Sequence, residues 1–332
     1  MNSIAALEDE LSRPNEADCA FMRALEGDLL VLGAGGKMGP SLAVRARRAA
    51  GSRARIIAVS RFSSGEARQL LASAGVETIA SDFLDRAQVA RLPDCANILF
   101  LAGRKFGSME NMPLTWMINT LAPALVAEKF QNARIVVLSS GNVYPFSVNG
   151  CGEEMRPAPV GEYAQSVLGR ERVFEYFSHR DGTPMTIIRL NYAIDLRYGV
   201  LLDIGRRVWQ QRPVPLAMGG VNVIWQGDAN SVILRALALA AVPPCILNVT
   251  GPEVLRVRWI AERFGAAFGI APQFEGSAAE TALLSDASRC CRLLGPPLVD
   301  ARQLIQWQAE WIRAGQPTLG KPTHFEVRDG AF

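Results

Sequence analysis

Residues 28–39 have the sequence Asp28-Leu-Leu-Val-Leu-Gly-Ala-Gly-Gly-Lys-Met-Gly39, in which a short apolar run ends in glycines spaced three apart. The pattern predicts a strand, a tight turn and a helix N-terminus in direct succession. Such a turn brings backbone N–H groups and the positive end of a helix dipole to a phosphate. A side chain at Gly33 or Gly36 would block that approach, and one at Gly39 would hold the helix off its strand. We interpret residues 33–39, the glycine turn, as a phosphate-binding turn; the alternative is a plain strand–helix connection.

Short apolar runs alternate with helical patterns in the sequence that surrounds the glycine turn. A near-continuous apolar run is typical of a strand that is buried on both faces. The alternation therefore predicts an α/β fold with a doubly wound parallel sheet of the Rossmann type. The predicted strands are residues 28–32, 54–59, 76–80, 97–101, 134–138 and 185–190, and the predicted helices are 37–50, 65–74, 113–130 and 161–179.

The alternation loosens after residue 191, which predicts a change of organisation there. We expect a smaller C-terminal substrate-covering region that lies against the sheet, with a strand near 246–250 returning to it. Asp228 is predicted to cap the helix 228–241, and Trp307 and Trp311 on the last helix are interpreted as core packing. The tail, 321–330, has no firm assignment. The predicted units are a helical extension broken at Pro14 (1–27), a dinucleotide-binding domain (28–195) and the C-terminal region (196–332).

The composition excludes several classes of function. Apolar residues make up 49% of the 332 residues and charged residues 20%, as in a globular protein. The net charge of +3 is too balanced to favour nucleic acid or an anionic membrane surface. No apolar run reaches membrane-spanning length, and the acidic N-terminal residues do not fit a signal peptide. Six cysteines form no CxxC pair, and two histidines are too few for a histidine-based metal site or triad. We expect a cytoplasmic protein with free thiols and no metal.

The end of the second predicted strand, Val59-Ser-Arg-Phe62, indicates which dinucleotide is bound. An acidic residue there would accept hydrogen bonds from the ribose 2′-hydroxyl and repel a 2′-phosphate. The chain has no carboxylate in this stretch, whereas Arg61, helped by Ser60 or Ser63, can pair with a 2′-phosphate. We therefore predict NADP as the cofactor, with NAD as the second choice. The alternative is that Arg61 is an ordinary solvated loop arginine.

Two further loops follow predicted strands and suit the same ligand. After the third strand, Asp82 is expected to contact the adenine amino group, with Phe83 beside the ring. After the fourth strand, the loop 101–106 contains small residues that would let its backbone run close to the cofactor, and we predict contacts from Leu101, Ala102 and Gly103. The alternatives are a helix N-cap at Asp82 and an ordinary turn after the fourth strand.

The fifth strand ends in Leu138-Ser-Ser-Gly-Asn-Val-Tyr-Pro145, and Glu162-Tyr-Ala-Gln-Ser-Val-Leu-Gly-Arg-Glu171 follows. With these stretches the chain resembles the extended short-chain dehydrogenase/reductase family, the NAD(P)-dependent sugar epimerases and dehydratases. The glycine turn, Asp82, Ala102 and Asn119 also match, as do the C-terminal segments 223–228, 247–251 and 285–289. The resemblance covers about residues 28–313.

The resemblance implies that Ser140 hydrogen-bonds the reacting oxygen and that Tyr163 is the general acid/base. Hydride transfer to or from a carbon leaves charge on the attached oxygen, which needs a positioned proton partner. A phenol titrates near pH ~10, so it needs a nearby cation to act as a base at neutral pH. In the family that cation is a lysine four residues after the tyrosine. Here that position is Val167.

The missing lysine leaves several interpretations open. A cation could come from Lys37, Lys105 or Arg170. The reaction could need only an acid, as in ketone reduction, because a neutral phenol already carries its proton. The protein could also bind the dinucleotide without turnover. Tyr163 and Ser140 themselves could be a half-buried helix tyrosine and a strand-end serine that satisfies turn amides.

Further contacts are implied by the same resemblance. In the glycine turn the implied cofactor contacts include Lys37 and Met38. Outside it they include Ser60, Arg61, Asn119, Ser139 and Tyr163. The implied substrate contacts are Lys105, Asn142, Asn191, Arg197 and Trp225.

The function favoured by the sequence is that of an NAD(P)-dependent oxidoreductase or epimerase. Its substrate would be a hydroxyl or ketone of a sugar-like or nucleotide-sugar-like small molecule. The alternative is a non-catalytic NAD(P)-binding sensor that has lost the catalytic lysine. A homodimer is compatible with the apolar positions on the helices predicted at 113–130 and 161–179.

Overall fold

A computed structural model describes residues 1, 3–63, 65–105, 107–321 and 323–330; the last residue of the predicted loop 101–106 lies outside this set. The strands are β1 (Leu29–Leu32), β2 (Ile56–Ser60), β3 (Glu77–Ala80), β4 (Asn97–Phe100), β5 (Arg134–Ser140), β6 (Met185–Leu190), β7 (Ala193–Ile194), β8 (Val214–Pro215), β9 (Gly220–Val221), β10 (Ile224–Trp225), β11 (Cys245–Val249), β12 (Leu255–Arg256) and β13 (Phe274–Glu275). Seven of them form one parallel sheet in the order β11-β6-β5-β4-β1-β2-β3. The predicted doubly wound Rossmann-type sheet is confirmed.

Helices pack on both faces of this sheet. They are α1 (Ile4–Ser12), α2 (Glu16–Ala24), α3 (Gly39–Ala50), α4 (Gly65–Ser73), α5 (Arg86–Ala90), α6 (Met112–Trp116), α7 (Ala122–Lys129), α8 (Gly161–Asp181), α9 (Val200–Trp209), α10 (Gln226–Arg235), α11 (Val257–Phe268), α12 (Ser288–Leu294) and α13 (Ala301–Arg313). None of these helices, within the described residues, is both long and apolar enough to cross a membrane.

The apolar runs of the strands supply two cores, one on each face of the sheet. In β1 the side chains alternate, so that Leu29 and Val31 join one apolar cluster while Leu30 and Leu32 join the other. The first cluster contains residues of α3 and α10, and the second contains residues of α7 and α8. Because successive side chains of a strand point to opposite faces, a fully apolar strand is stable only between two layers of helices.

The predicted helix 113–130 is interrupted in its middle. A π-helical turn, Met117–Leu121, separates α6 from α7. Pro123 explains the interruption, because proline has no N–H to donate to the carbonyl of Asn119 four residues earlier. The widened turn carries Asn119, one of the residues that the resemblance singled out. A further short helix, α5, was not predicted; it is capped by the side chain of Asp85.

The C-terminal region is tied to the sheet by β11, which pairs in parallel with β6. Its own apolar cluster contains Trp225 and Trp311. The prediction that Asp228 caps a helix is wrong, because α10 already begins at Gln226. Asp228 lies in the first turn instead, where its carboxylate accepts a hydrogen bond from the backbone N–H of Val299 at 3.0 Å.

The N-terminal extension packs against the helix that follows the glycine turn. Asp18 of α2 is fully buried and forms an ion pair of 2.7 Å with Arg45 of α3, whose side chain is also buried. Leu7 and Leu11 of α1 join the apolar cluster of the C-terminal region. The extension therefore connects α3 to the C-terminal region and supports the glycine turn from behind.

Candidate active site

The glycine turn is closely packed on one side and open on the other. Gly33 has a φ of +87°, and a Cβ atom there would lie 2.5 Å from the backbone nitrogen of Ala102. A Cβ atom at Gly39 would lie 2.5 Å from the Cα of Ala34, so the contact of α3 with the turn requires glycine. A Cβ atom at Gly36 would meet only the carbonyl oxygen of Gly33, at 3.3 Å. The open side of Gly36 lies at a helix N-terminus, which fits a phosphate group.

A cleft of about 260 Å³ opens beside this turn at the carboxyl ends of the parallel strands. It brings together most of the predicted cofactor residues from four separate loops. They are Gly33, Gly36, Ser60, Arg61, Asp82, Phe83, Leu101, Ala102 and Gly103. Ligands of open α/β sheets bind at this edge, so the cleft fits a dinucleotide.

Asp82 and Arg61 face this cleft in the way that the sequence suggested. The alternative of an N-cap at Asp82 does not hold, because α5 begins four residues later and is capped by Asp85. Asp82 instead accepts a hydrogen bond from the backbone N–H of Leu84 at 3.0 Å, which fixes the loop. Arg61 is exposed at the cleft. The cleft is thus lined by a carboxylate and a guanidinium that belong to two different loops.

Three residues with predicted cofactor contacts support the cleft without lining it. Met38 is 7% exposed and packs in the apolar core. The hydroxyl of Ser139 donates to the carboxylate of Glu171 at 2.5 Å. Neighbouring residues of a strand point to opposite faces of the sheet, so Ser139 and Ser140 lie on different faces. The amide of Asn119 is fully buried. None of the three lines the cleft, and their contacts with a cofactor stay predictions.

Ser140 and Tyr163 lie together where β5 ends and α8 begins. The Ser140 hydroxyl donates to the Asn142 side chain at 2.9 Å and accepts from the Asn142 backbone at 3.2 Å. It also hydrogen-bonds the phenol of Tyr163. Burial raises the pKa of Tyr163, whereas the charge of Arg170 and the bond with Ser140 oppose that rise. At neutral pH the phenol therefore carries its proton.

Two half-buried lysines face the same region. Lys37 of the glycine turn donates to the carbonyl of Ala193 at 2.7 Å and lies 4.6 Å from the ring centroid of Tyr198. The ammonium of Lys105 lies 5.9 Å from the ring centroid of Tyr163. The pKa of each lysine is lowered to about 8, mainly by desolvation, and for Lys37 the positive charge of Lys105 contributes to the lowering. This side of the site is electropositive.

The residues with predicted substrate contacts separate into two groups. Asn142 lines a small cavity beside Tyr192, next to the proposed reaction centre. Asn191 is 2% exposed and its amide donates to Asn222 at 3.0 Å, so it holds the C-terminal region in place. Lys105 has been described above.

Arg197 and Trp225 are not among the residues that line the cleft or the small cavity, and the structure gives both side chains other partners, so their substrate contacts stay predictions. Arg197 forms ion pairs with Asp195 at 2.7 Å and with Glu8 of the N-terminal extension at 2.5 Å. Trp225 is 2% exposed and packs edge-on against Trp307, with 5.5 Å between ring centroids. Glu8 and Trp307, the partners that anchor these two side chains to other parts of the fold, are distant from them in the sequence.

The tail, which had no assignment, reaches the small cavity beside Asn142. Thr323 donates from its backbone and hydroxyl to the carboxylate of Asp203 at 2.8 and 2.5 Å. Arg328 donates to the carbonyl of Thr281 at 2.7 Å. Gly330 packs against the backbone of Gly161 at the start of α8, where neither glycine has room for a Cβ atom. Val327 and Gly330 line the small cavity with Asn142 and Tyr192. The sequence carried no signal for this contact.

The model of the NAD dependent epimerase/dehydratase family matches residues 29–193 of the chain. The matched residues run from β1 into β7, and they contain the glycine turn, Ser140 and Tyr163. No curated protein sequence matches the chain.

Solved structures of sugar epimerases share the fold. The UDP-glucose 4-epimerase of Thermus thermophilus, in complex with NAD, is 19% identical; the alignment covers 86% of this chain and 99% of that one, with a TM-score of 0.70. A UDP-glucuronic acid 4-epimerase from Bacillus cereus, in complex with a fluorinated UDP-sugar and NAD, is 15% identical over 86% and 99% of the two chains, with a TM-score of 0.72. An epimerase from Methanothermobacter thermautotrophicus is 19% identical over 90% and 96%, with a TM-score of 0.73. With its parallel sheet, its glycine turn and this match, the chain is an enzyme that belongs to the NAD-dependent epimerase/dehydratase family.

Proposed function

We propose that this enzyme is an oxidoreductase or epimerase that acts on a hydroxyl or ketone of a sugar or nucleotide-sugar-like substrate. The observation that carries the proposal is the hydrogen bond between Ser140 and Tyr163 near the cleft at the carboxyl ends of the strands. Of the solved structures named above, the Bacillus cereus enzyme contains a fluorinated UDP-sugar and NAD, and the Thermus thermophilus enzyme contains NAD, which supports a nucleotide sugar as the substrate class.

Different residues of this chain bind the cofactor, transfer the proton and stabilise the developing charge. The glycine turn and the loops with Arg61, Asp82 and Ala102 would hold the dinucleotide, which supplies or accepts a hydride when bound. Tyr163 gives a proton to the substrate oxygen or takes one from it. Ser140 donates a hydrogen bond to the same oxygen and stabilises the charge that develops there. Since the phenol is protonated at neutral pH, the proton-donating direction needs no further activation.

A panel experiment tests this proposal. The absorbance of the nicotinamide is followed before the steady state with keto-sugars and nucleotide sugars. We expect the wild type to turn over at least one member of the panel. If the cofactor binds and no member of the panel reacts, the chain is a sensor instead. That alternative is not favoured by membership of an enzyme family.

The choice between NADP and NAD rests on Arg61. The known neighbours contain NAD, whereas the sequence-based preference for NADP stays a prediction. Arg61→Ala is expected to weaken NADPH binding by about 1–3 kcal/mol relative to NADH, because a charge-assisted hydrogen bond to the 2′-phosphate is lost. Binding titrations of both cofactors measure the difference. Arg68→Ala, on the exposed surface of α4, is the control. Equal weakening of both cofactors by Arg61→Ala would refute the NADP preference.

The small cavity lined by Asn142, Tyr192, Val327 and Gly330, about 20 Å³ in volume, lies on the proposed substrate side of the site. The positive charges of Lys37 and Lys105 suit an anionic group such as a diphosphate. These lysines and the tail are therefore proposed as substrate contacts together with Asn142. The homodimer predicted from the long helices stays a prediction.

A further inference from the structure

Val167, where the family resemblance implies a lysine, lies in an apolar environment. Its side chain is fully buried and packs in a cluster with Val143, Tyr144 and Cys151. A charged group among these side chains would lose its hydration without gaining a partner, which is unfavourable. This part of α8 is therefore built for packing, and position 167 supplies no charge to Tyr163.

Arg170, on the next turn of α8, carries a buried positive charge toward the reaction centre. It is 5% exposed. One guanidinium nitrogen donates to the carbonyl of Leu138 at 2.7 Å, two residues before Ser140 in β5. The other donates to the side-chain oxygen of Asn119 at 2.5 Å. Both acceptors are uncharged oxygens, so these bonds orient the guanidinium without neutralising it.

The same guanidinium borders the cofactor cleft. A Cβ atom added to Gly103, which lines the cleft, would lie 3.1 Å from the central carbon of the Arg170 guanidinium. Glycine at position 103 is thus what allows the arginine to approach the loop after β4. Arg170 therefore lies between the end of β5, which carries Ser140, and the cofactor cleft.

A hydrogen-bonded chain connects Arg170 to the helix turn that carries Tyr163. The Asn119 amide accepts from Arg170 and donates to the hydroxyl of Ser166 at 2.8 Å. That hydroxyl donates to the backbone carbonyl of Tyr163 at 2.8 Å. The π-helical turn at Met117–Leu121 positions Asn119 for these contacts.

We propose that Arg170 replaces the missing lysine as the positioning cation for Tyr163, with Asn119 holding its guanidinium in place. Residues seven apart lie on one face of a helix, and helical side chains lean toward the N-terminus, so the long arginine reaches back toward the phenol. Its charge favours the phenolate in a water-poor site, where electrostatic interactions are strong. The inference rests on the proposed function, in which Tyr163 exchanges the proton.

The two half-buried lysines are the competing cations, and their positions suit this role less. Lys37 is directed to the carbonyl of Ala193 and the ring of Tyr198. Lys105 lies over the ring of Tyr163, at 5.9 Å from its centroid. Both lose their charge near pH 8, because burial lowers the pKa of each to about 8. A guanidinium stays charged throughout the range in which enzymes work.

The test is a titration of the phenol at position 163 without substrate or cofactor. Difluorotyrosine replaces Tyr163, because it ionises at lower pH than tyrosine and its fluorine NMR signal reports ionisation. We expect Arg170→Gln to raise the pKa of this phenol by about 1–3 units, the usual effect of removing a nearby opposite charge. Arg170→Lys should give a smaller rise. Lys105→Gln, the matched control for a cation over the same ring, should shift the pKa by less than Arg170→Gln.

A second variant covers the case in which Arg170→Gln does not fold. Asn119→Asp keeps the acceptor for Arg170 but adds a negative charge beside it, so it should also raise the pKa of the phenol. The proposal is overturned if neither Arg170→Gln nor Asn119→Asp raises that pKa, or if Lys105→Gln has the larger effect. Since the titration needs no substrate, it can fail while Tyr163 still proves essential for turnover, and the two claims are separable.

Discussion

Replacing Tyr163 with phenylalanine should lower turnover by about 10²–10⁴-fold, the usual contribution of a positioned proton donor or acceptor. The substitution removes only the phenolic oxygen and leaves the ring packed in its cluster with Val143 and Tyr144. Cofactor affinity and the free energy of unfolding should therefore change little. The loss should appear in the rate of the chemical step.

Single-turnover rates of nicotinamide absorbance change, with any substrate identified from the panel, measure this loss. Tyr176→Phe is the matched control, since Tyr176 lies on the same helix but is 59% exposed. If Tyr163→Phe retained the rate of Tyr176→Phe, Tyr163 would have no part in proton transfer.

The substitution Glu171→Gln should lower the free energy of unfolding by about 3–5 kcal/mol, because it breaks a buried ion pair by removing one charge. The carboxylate of Glu171 is fully buried and binds Arg189 at 2.7 and 3.0 Å. It also accepts the hydroxyl of Ser139 at 2.5 Å. With an amide in its place, the buried guanidinium of Arg189 loses its counter-charge.

Chemical denaturation monitored by circular dichroism gives the difference in free energy. Glu175→Gln on the same helix is the control, because its ion pair with Arg172 is partly exposed and contributes about 1 kcal/mol or less. Equal losses for the two variants would contradict the structural role assigned to the Glu171–Arg189 pair. Such a result would mean that the buried contact between α8 and β6 tolerates an unpaired charge.

The sheet could be predicted because its strands are local patterns with a strong physical cause. A strand buried on both faces must be apolar throughout, and β6 at Met185–Leu190 agrees with its prediction at both ends. The glycine turn could be predicted for a similar reason, since only glycine fits where Gly33 and Gly39 approach other backbone atoms. The cleft followed, because loops after parallel strands meet at one edge of the sheet.

The residues that were predicted less well depend on partners far away in the sequence. Arg197 was assigned to substrate, but its partner Glu8 lies in the N-terminal extension. Trp225 was assigned likewise, but its ring packs against Trp307 of the last helix. Ser139 and Ser140 looked alike until the register of β5 separated the faces to which they point.

The positions of the tail and of Arg170 near the reaction centre also depend on partners that are distant in the sequence, so they could not be predicted from local patterns. The tail reaches Asp203 and Gly161 only because the C-terminal region folds back over the sheet. Arg170 was one of three candidate cations in the sequence, and its bonds to Leu138 and Asn119 distinguish it from the two lysines. The bond to Asn119 depends on the π-helical turn, for which Pro123 was the only local signal in the sequence.

Transfer of deuterium tests directly whether the chain binds a nicotinamide dinucleotide in the cleft and uses Tyr163 to complete a hydride transfer. The wild type is given a reduced cofactor deuterated at the reactive carbon, together with free and nucleotide-linked keto-sugars whose carbonyl accepts the hydride, and the sugars are analysed by mass spectrometry. We expect deuterium on a sugar carbon with the wild type and very little with Tyr163→Phe. Tight cofactor binding with no deuterium transferred to any sugar, or equal transfer by the two proteins, would contradict it.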